Sequence, residues 1–142
     1  EVVAIEESRS AAADAVENVR SNGAANVSIE RGSVAERLPA VAARGAIALL
    51  VLDPPRAGLE PPALDAAIAA RPDRIAYLSC APGSLARDLA ALVRAGWVVD
   101  DVTPRDFLPQ TDHVEALARL KRAPERGRIV EHAARGPAPQ DG

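Results

Sequence analysis

The sequence has little of several residue types that build common functional sites. It contains one cysteine, one tryptophan, one tyrosine, one phenylalanine and two histidines. A lone cysteine excludes a disulfide within the chain, and so few cysteines and histidines, at no useful spacing, argue against a metal site. Neither GxGxxG nor GxxxxGK occurs, so the two common glycine-rich phosphate loops are absent from the sequence. Because aromatic residues make up only 2% of the chain, the core must be built from Ala, Val, Leu and Ile.

Long apolar runs and an excess of positive charge are also lacking. No run approaches the roughly 20 residues needed to cross a bilayer, and no signal peptide is evident, so we expect a cytoplasmic protein without a membrane partner. The formal net charge is −3, and Lys121 is the only lysine, so arginine supplies nearly all the positive charge. This balance argues only weakly against an RNA partner, because a local arginine patch can contact phosphates.

What is present is an alternation of strand-like and helix-like segments over 142 residues, a length that suits about one domain. Strands are predicted at residues 2–5, 26–30, 46–52, 74–79, 97–102 and 114–120. Helices are predicted at residues 9–21, 33–43, 62–70 and 84–95, with Pro39 interrupting the second. The alternation predicts an open, mainly parallel α/β sheet. The last two strands, joined by a loop at 103–113, predict an antiparallel hairpin at one edge.

Two stretches carry further expectations about organisation. The run at 46–52 is apolar on both faces, as in a central parallel strand. After residue 122 the apolar pattern fades into Pro, Gly, Arg and Ala, which predicts a disordered tail over 123–142. The first residues already have the pattern of a strand, so we expect the chain to be a piece of a longer protein.

Polar side chains recur directly after the predicted strands, at the edge where open α/β sheets bind their ligands. They are Glu6, Ser33, Asp53 and Cys80, and Glu115 opens the last strand. A thiol and carboxylates from different strand ends can converge on one substrate. Each residue also has a plainer interpretation, since lone cysteines are usually structural and acidic residues often end strands in solvent.

Three sequence motifs, taken together, are more specific than these single residues. VLDPPRAG at 51–58, YLSCAPGSLARDLAALVRAGW at 77–97 and PRDFLPQTDHVEALARL at 104–120 resemble the S-adenosylmethionine-dependent RNA uracil-5-methyltransferases, which make 5-methyluridine in tRNA and 23S rRNA. The opening stretch at 2–27 is similar to the segment after that family's first strand. The resemblance covers about residues 2–122 and implies a partial catalytic domain with a Rossmann-like class I methyltransferase sheet.

The resemblance implies a role for each polar residue at the strand ends. Cys80 corresponds to the family's nucleophile and Glu115 to its general base. Glu6 corresponds to the residue that binds the cofactor ribose, and Asp53 to the aspartate beside the cofactor and the target base. Ser33 falls where the family has a polar cofactor contact, often Asn or Asp. The implied cofactor is S-adenosylmethionine, the implied partner is tRNA or 23S rRNA, and no metal is implied.

The chain also departs from the family pattern. Ala81 follows the cysteine where Asn is common. The family's first strand and its glycine-containing cofactor loop are not in this sequence, nor are the RNA-binding domain and cysteine cluster that some members carry. In the family's sheet that strand lies between the strands at 2–5 and 46–52. Without it, we expect both to have unpaired edges, which favours marginal stability and association.

Three alternatives stay open at this point. An RNA cytosine-5-methyltransferase uses similar thiolate chemistry, but it carries a second cysteine in a Pro-Cys word, whereas this chain has Asp-Pro-Pro-Arg at 53–56. A non-catalytic module would keep the fold and bind no cofactor. A cysteine hydrolase would need a base near Cys80, for which His113 is the realistic candidate. In an RNA enzyme, phosphate contacts are expected from Arg56, Arg87 and Arg105, each of which has a solvated surface position as its plainer interpretation.

Overall fold

The computed structural model describes residues 1–107, 110 and 114–124. Strands and helices alternate through these residues, as the sequence predicts. In chain order they are β1 (Val2–Glu6), α1 (Arg9–Ser21), β2 (Val27–Arg31), α2 (Val34–Ala42), β3 (Leu49–Leu52), α3 (Pro61–Ala69), β4 (Arg74–Ser79), α4 (Pro82–Arg94), β5 (Trp97–Arg105) and β6 (Glu115–Arg122). The predicted tail falls almost entirely outside the described residues, and so does His113.

The strands form two sheets. Strands β1 and β2 make a parallel pair, and the second sheet has the order β3-β4-β6-β5. In that sheet β3 and β4 are parallel, while β6 runs antiparallel to both β4 and β5. The predicted α/β fold with a C-terminal antiparallel hairpin is confirmed, and β6 lies inside the sheet with β5 as the edge.

Of the described strands, β1 and β3 each have one unpaired edge. Among the described residues, β1 pairs only with β2, and β3 pairs only with β4, so the expected unpaired edges are present. Side chains from α2 and α3 join the two sheets, because Leu38 and Ala67 pack with Ile5 of β1 and Leu50 of β3. The connection between the sheets therefore consists of side-chain packing and not of a hydrogen-bonded ladder.

The main core lies between the four-stranded sheet and helices α3 and α4. Its buried residues come from the strands, from the apolar stripe of α4 and, for Leu59, from the loop before α3; they are Leu52, Leu59, Ile75, Tyr77, Leu85, Leu92, Trp97, Ala118 and Leu120. Two of the chain's three aromatic residues are in this cluster, and the third, Phe107, is 60% exposed. The core is thus mainly aliphatic, as the composition requires.

Helix α2 corrects one local expectation. Pro39 was expected to interrupt it, yet the helix is continuous over Val34–Ala42 with the proline inside. Pro39 is exposed, so the carbonyl that loses its partner can be solvated. The start of the helix is strongly fixed, because the Ser33 hydroxyl accepts from the Glu36 amide and the Glu36 side chain accepts from the Ser33 amide.

Strands β3 and β5 differ from the sequence-based expectations in two further ways. Strand β3 begins at Leu49, three residues later than predicted, and it is not buried on both faces, since Leu49 is 54% and Val51 66% exposed. Within the described residues its second face and one edge are uncovered. Strand β5 continues to Arg105 through Pro104, a stretch predicted as loop. Proline is tolerated there because β5 is an edge strand and needs ladder bonds on one side only.

Within the part of the chain that the structure describes, no helix is long and apolar enough to cross a membrane. No group of three or more His, Cys, Asp or Glu side chains among those residues is placed to hold a metal ion.

The open edge of β3 predicts self-association that a charge will weaken. We expect the wild-type chain to associate as its concentration rises, because an uncovered apolar edge strand is a template for pairing. Val51→Lys should weaken this association about tenfold, since it removes one exposed valine and places a charge on the strand. The matched control is Val93→Lys, at a valine that is 48% exposed on helix α4. Sedimentation velocity over a concentration series measures both, and equal effects of the two variants would contradict the prediction.

Candidate active site

Cys80 lies in the turn between β4 and α4. Strand β4 ends at Ser79, whose hydroxyl accepts a hydrogen bond from the Ala81 amide at 3.1 Å and so closes a tight turn around the cysteine. Pro82 then opens helix α4, a position where its missing N–H costs nothing. The sequence Ser-Cys-Ala-Pro therefore places a half-buried thiol at the carboxyl end of a sheet strand.

Glu115 is brought to the same place by the register of β6 on β4. The last pair of this antiparallel ladder is Ser79 with Ala116, and Cys80 and Glu115 are the next residues beyond this pair on their two segments. Cys80 itself lies in the turn that follows β4, so it is adjacent to the ladder and not part of it. On the other side of β6, the residue paired with Glu115 is Arg105. The ladders thus bring the segments that carry Cys80, Glu115 and Arg105, far apart in sequence, to the same end of the sheet.

Asp53 joins this group from the neighbouring parallel strand. It follows β3 directly, and β3 pairs with β4 through Leu52 and Tyr77, so Asp53 lies at the same edge of the sheet as Cys80. Its side chain is exposed, and among the described residues its carboxylate has no hydrogen-bond or ion-pair partner. The two prolines that follow stiffen the backbone there, so the carboxylate is available to a ligand at the edge.

Glu6 and Ser33 form a second group, on the β1–β2 sheet. Glu6 ends β1, and its backbone carbonyl accepts from the Gly32 amide at 3.0 Å, which places Ser33 beside it. One Glu6 carboxylate oxygen accepts from the Ser8 amide at 2.6 Å. The Ser33 hydroxyl caps α2 by accepting from the Glu36 amide at 3.3 Å, and its own proton is free to donate. The structure brings these two residues together, but pairs neither of them with Cys80, Glu115 or Asp53.

The structure contains a buried polar network that the sequence did not predict, between β4, α4 and the loop that follows β3. Asp88 is fully buried on α4, where its carboxylate accepts from the Tyr77 hydroxyl at 2.6 Å and from the Leu59 amide at 2.8 Å. The signal in the sequence was a carboxylate on the helix face that also carries Leu85 and Leu92, since a buried charge must find donors. Arg87, expected to contact RNA phosphates, instead donates to Asp88 at 2.9 Å.

Burial in this network raises the pKa of the Tyr77 hydroxyl well above its ordinary value, and the hydrogen bond to Asp88 and the negative charge of Asp88 raise it further. The phenol therefore stays protonated and donates to Asp88 throughout the physiological range. Because Tyr77 is the residue paired with Leu52 in the ladder, this bond ties the centre of the sheet to helix α4.

Comparison with known proteins shows the family of this chain. The sequence model of the family tRNA (Uracil-5-)-methyltransferase matches residues 1–123. The chain belongs to this family. The matched range contains the positions of all five residues expected at the site, whose roles stay predictions.

Individual RNA methyltransferases are similar to this chain over most of its length. An uncharacterized RNA methyltransferase of Geobacter sulfurreducens is 42% identical over 135 residues, which is 94% of this chain and 27% of the relative. Another, of Listeria monocytogenes, is 41% identical over 75% of this chain and 24% of its own length. The chain thus spans about a quarter of the length of these relatives.

Among solved structures, the tRNA (uracil-54, C5)-methyltransferase of Pyrococcus abyssi, in complex with S-adenosyl-L-homocysteine, is 29% identical with a TM-score of 0.67. The similarity covers 84% of this chain and 28% of that one. A putative RNA methyltransferase of Pyrococcus horikoshii has a TM-score of 0.65 at 17% identity, over 89% of this chain and 63% of that one, and so supports the fold alone. The class I methyltransferase fold expected from the sequence is confirmed.

The raised pKa of Tyr77 predicts a loss of stability at alkaline pH. The unfolded tyrosine ionises near the ordinary tyrosine pKa of 10.0, whereas the folded one stays protonated, so only the unfolded chain releases a proton just above that pH. The contribution of Tyr77 is therefore present below about pH 10 and falls by up to about 1.4 kcal/mol per pH unit above it. Tyr77→Phe lacks this dependence but loses about 1–2 kcal/mol at pH 8 with the hydrogen bond.

Urea unfolding of both proteins at pH 8 and pH 11 measures the effect. The stability advantage of the wild type over Tyr77→Phe should shrink between the two pH values. An advantage that stays constant would show that the Tyr77 hydroxyl is not held in its protonated form by the fold.

Proposed function

We propose that this chain provides the catalytic residues of an RNA methyltransferase that transfers a methyl group from S-adenosylmethionine to C5 of a uridine in tRNA or 23S rRNA. The observation that supports this proposal is the register of β4 and β6, whose last pair, Ser79 with Ala116, is adjacent to Cys80 on one segment and to Glu115 on the other. Family membership supports the reaction class, and the proposed roles of individual residues rest on their positions at the sheet edge.

The residues at the ends of β1 and β2 fit the nucleoside part of this cofactor. Glu6 uses one carboxylate oxygen to accept from Ser8, which leaves the other to accept from ribose hydroxyls. The Ser33 hydroxyl has a free proton for a ring nitrogen, and the carboxylate of Asp53 is open to the ligand. When bound, S-adenosylmethionine supplies an electrophilic methyl group on a sulfonium centre.

Cys80 is proposed as the nucleophile because C5 of uracil is too poor a nucleophile to accept a methyl group unaided. The Cys80 thiolate adds to C6 of the ring and forms a C–S bond, and the electron pair of the C5–C6 double bond moves to give an enolate. C5 of this enolate is nucleophilic and takes the methyl group. The sulfonium sulfur keeps the electron pair of the broken bond and becomes a neutral thioether.

Glu115 is proposed as the general base that completes the reaction. After methylation, C5 carries both a methyl group and a proton. The Glu115 carboxylate removes this proton, the double bond between C5 and C6 forms again, and the Cys80 thiolate leaves. A base on the strand opposite the thiol is well placed for this step, because C5 and C6 are adjacent atoms of one ring.

The RNA substrate must present an unpaired or extruded uridine, since a stacked base cannot reach the sheet edge. Arg56 and Arg105 flank that edge and are proposed to contact backbone phosphates. Arg87 is withdrawn from this role, because its guanidinium is already bonded to Asp88 and to carbonyl oxygens. Because the proposed substrates are tRNA and rRNA, we place the reaction in the cytoplasm.

The open edges of β1 and β3 favour a second candidate for the 142-residue chain by itself, a module that keeps the fold but binds no cofactor. Calorimetric titration of the chain with S-adenosylhomocysteine separates the two candidates. Binding heat together with a rise in melting temperature favours the catalytic candidate. The absence of both favours the module.

Removal of the thiol should abolish the reaction. In the complete gene product that contains residues 1–142, Cys80→Ala should lower methyl transfer to uridine by at least about a thousandfold. It should also abolish the covalent RNA adduct seen on denaturing gels. Ser28→Ala, on the exposed surface of β2, is the control and should behave as wild type. A Cys80→Ala enzyme that still methylates would remove Cys80 from the mechanism.

Glu115→Gln should instead trap the adduct. Addition and methyl transfer proceed, but proton removal fails, so turnover falls by about 10²–10⁴-fold while protein bound covalently to methylated RNA accumulates. Denaturing electrophoresis and nucleoside analysis of the trapped RNA measure this outcome. Release of free product at the wild-type rate would count against Glu115 as the base.

A further inference from the structure

The loop that follows β3 is held by side chains of helix α4. Residues 53–59 contain Asp53, and α4 begins two residues after Cys80. The Ser84 hydroxyl lies between the carbonyl oxygens of Arg56, at 2.8 Å, and Ala81, at 3.1 Å. One hydroxyl in the first turn of α4 thus contacts both the loop that carries Asp53 and the turn that carries Cys80.

Arg87 and Asp88 hold the other end of the same loop. The Arg87 guanidinium donates to the carbonyl oxygen of Ala57 at 2.9 Å and to that of Leu59 at 3.4 Å. Asp88 accepts from the Leu59 amide, and its two oxygens also receive Tyr77 and Arg87. The loop backbone is therefore bonded to one face of α4 at three positions, 56, 57 and 59.

Gly58 permits this close approach. Its φ is +81°, a conformation that side chains rarely adopt, and it is buried against the helix. A Cβ atom at this position would lie 2.5 Å from the Arg87 guanidinium, 2.6 Å from the Asp88 carboxylate and 3.0 Å from the Ser84 Cβ. The loop and the helix thus fit together only with glycine at 58.

A contact that served stability alone would not need a buried carboxylate. Desolvation of Asp88 is costly, and apolar side chains of similar volume often stabilise a core as well or better. What the polar contacts add is direction, because each fixes a particular backbone atom of the loop at hydrogen-bond distance. This fixes where the loop lies relative to the Cys80 turn.

We propose that Ser84, Arg87 and Asp88 form a positioning clamp, which holds the loop at 53–59 against the Cys80 turn and so fixes Asp53 relative to the thiol. The clamp residues do not touch the reacting atoms; they act through Asp53 and Cys80. This inference rests on the proposed methyl transfer for its catalytic consequence, whereas the clamping itself is a property of the fold.

Ser84→Ala tests the clamp with the least disturbance to the core, and Asp88→Asn is a second, stronger variant. The controls are Ser10→Ala and Asp65→Asn, which make the same chemical changes at exposed helix positions. Amide hydrogen exchange of the 142-residue chain is the first measurement. In Ser84→Ala, the amides of residues 57–59 should exchange about tenfold faster, while those of β4 change less than twofold.

Methyl transfer is the second measurement, made with the complete gene product, S-adenosylmethionine and unmodified tRNA and 23S rRNA transcripts. A misplaced Asp53 should lower kcat by about tenfold to a hundredfold with KM for RNA unchanged within about twofold. A variant that is merely destabilised would contain less active enzyme, but each active molecule would keep the wild-type kcat and KM. The concentration of active enzyme is therefore determined by titration of the covalent RNA adduct.

The outcomes separate the clamp from the proposed reaction. Unchanged exchange at 57–59 in both variants overturns the clamp, whatever the activity. Faster loop exchange with an unchanged kcat overturns its positioning role. If the wild-type protein transfers no methyl group to RNA, the proposed function fails, and faster loop exchange in Ser84→Ala still supports the clamp.

Discussion

The antiparallel register of β4 and β6 is the constraint on which the site depends. Ser79 pairs with Ala116, and this pairing brings the neighbouring residues Cys80 and Glu115 to the same end of the sheet. A slip of one residue would move every side chain of β6 to the other face of the sheet. Burial prevents such a slip, because Ala118 and Leu120 must stay in the core beside Ile75 and Tyr77. The same apolar alternation that holds the sheet together therefore brings Cys80 and Glu115 to the same end of the sheet.

Helix α4 connects this ladder to the rest of the edge. Its start at Pro82 ends the Cys80 turn, and its buried Asp88 bonds both to Tyr77 of β4 and to Leu59 after β3. One helix thus bonds both to β4 and to the loop that follows the neighbouring strand β3. The β1–β2 pair is attached more loosely, through side chains on α2 and α3, so the part of the site that carries Glu6 depends on packing and not on a continuous sheet.

Much of the fold could be predicted because its signals are local. A serine cap marks the start of α1, apolar periodicity and a following glycine mark both α1 and α4, and polar residues after strands mark the edge where Cys80 and Asp53 lie. Register is not local, so the opposition of Cys80 and Glu115 could not be obtained from composition or periodicity. The misses have the same origin: Pro39 is accommodated because it faces solvent, and Val51 is exposed because nothing described covers that face of β3. The donors to Asp88 come from distant segments, which a helical pattern cannot reveal.

Because Cys80 is the only cysteine, the register can be tested by introducing a second one. Directly opposite residues on antiparallel strands lie within the Cα separation that a disulfide requires, about 4.4–6.8 Å. Mild oxidation of the Glu115→Cys chain should therefore give an intramolecular disulfide, seen by intact mass as the loss of two hydrogens, whereas Leu117→Cys should keep both thiols free. Two free thiols in Glu115→Cys under conditions that oxidise a flexible dithiol would contradict the convergence of Cys80 and Glu115.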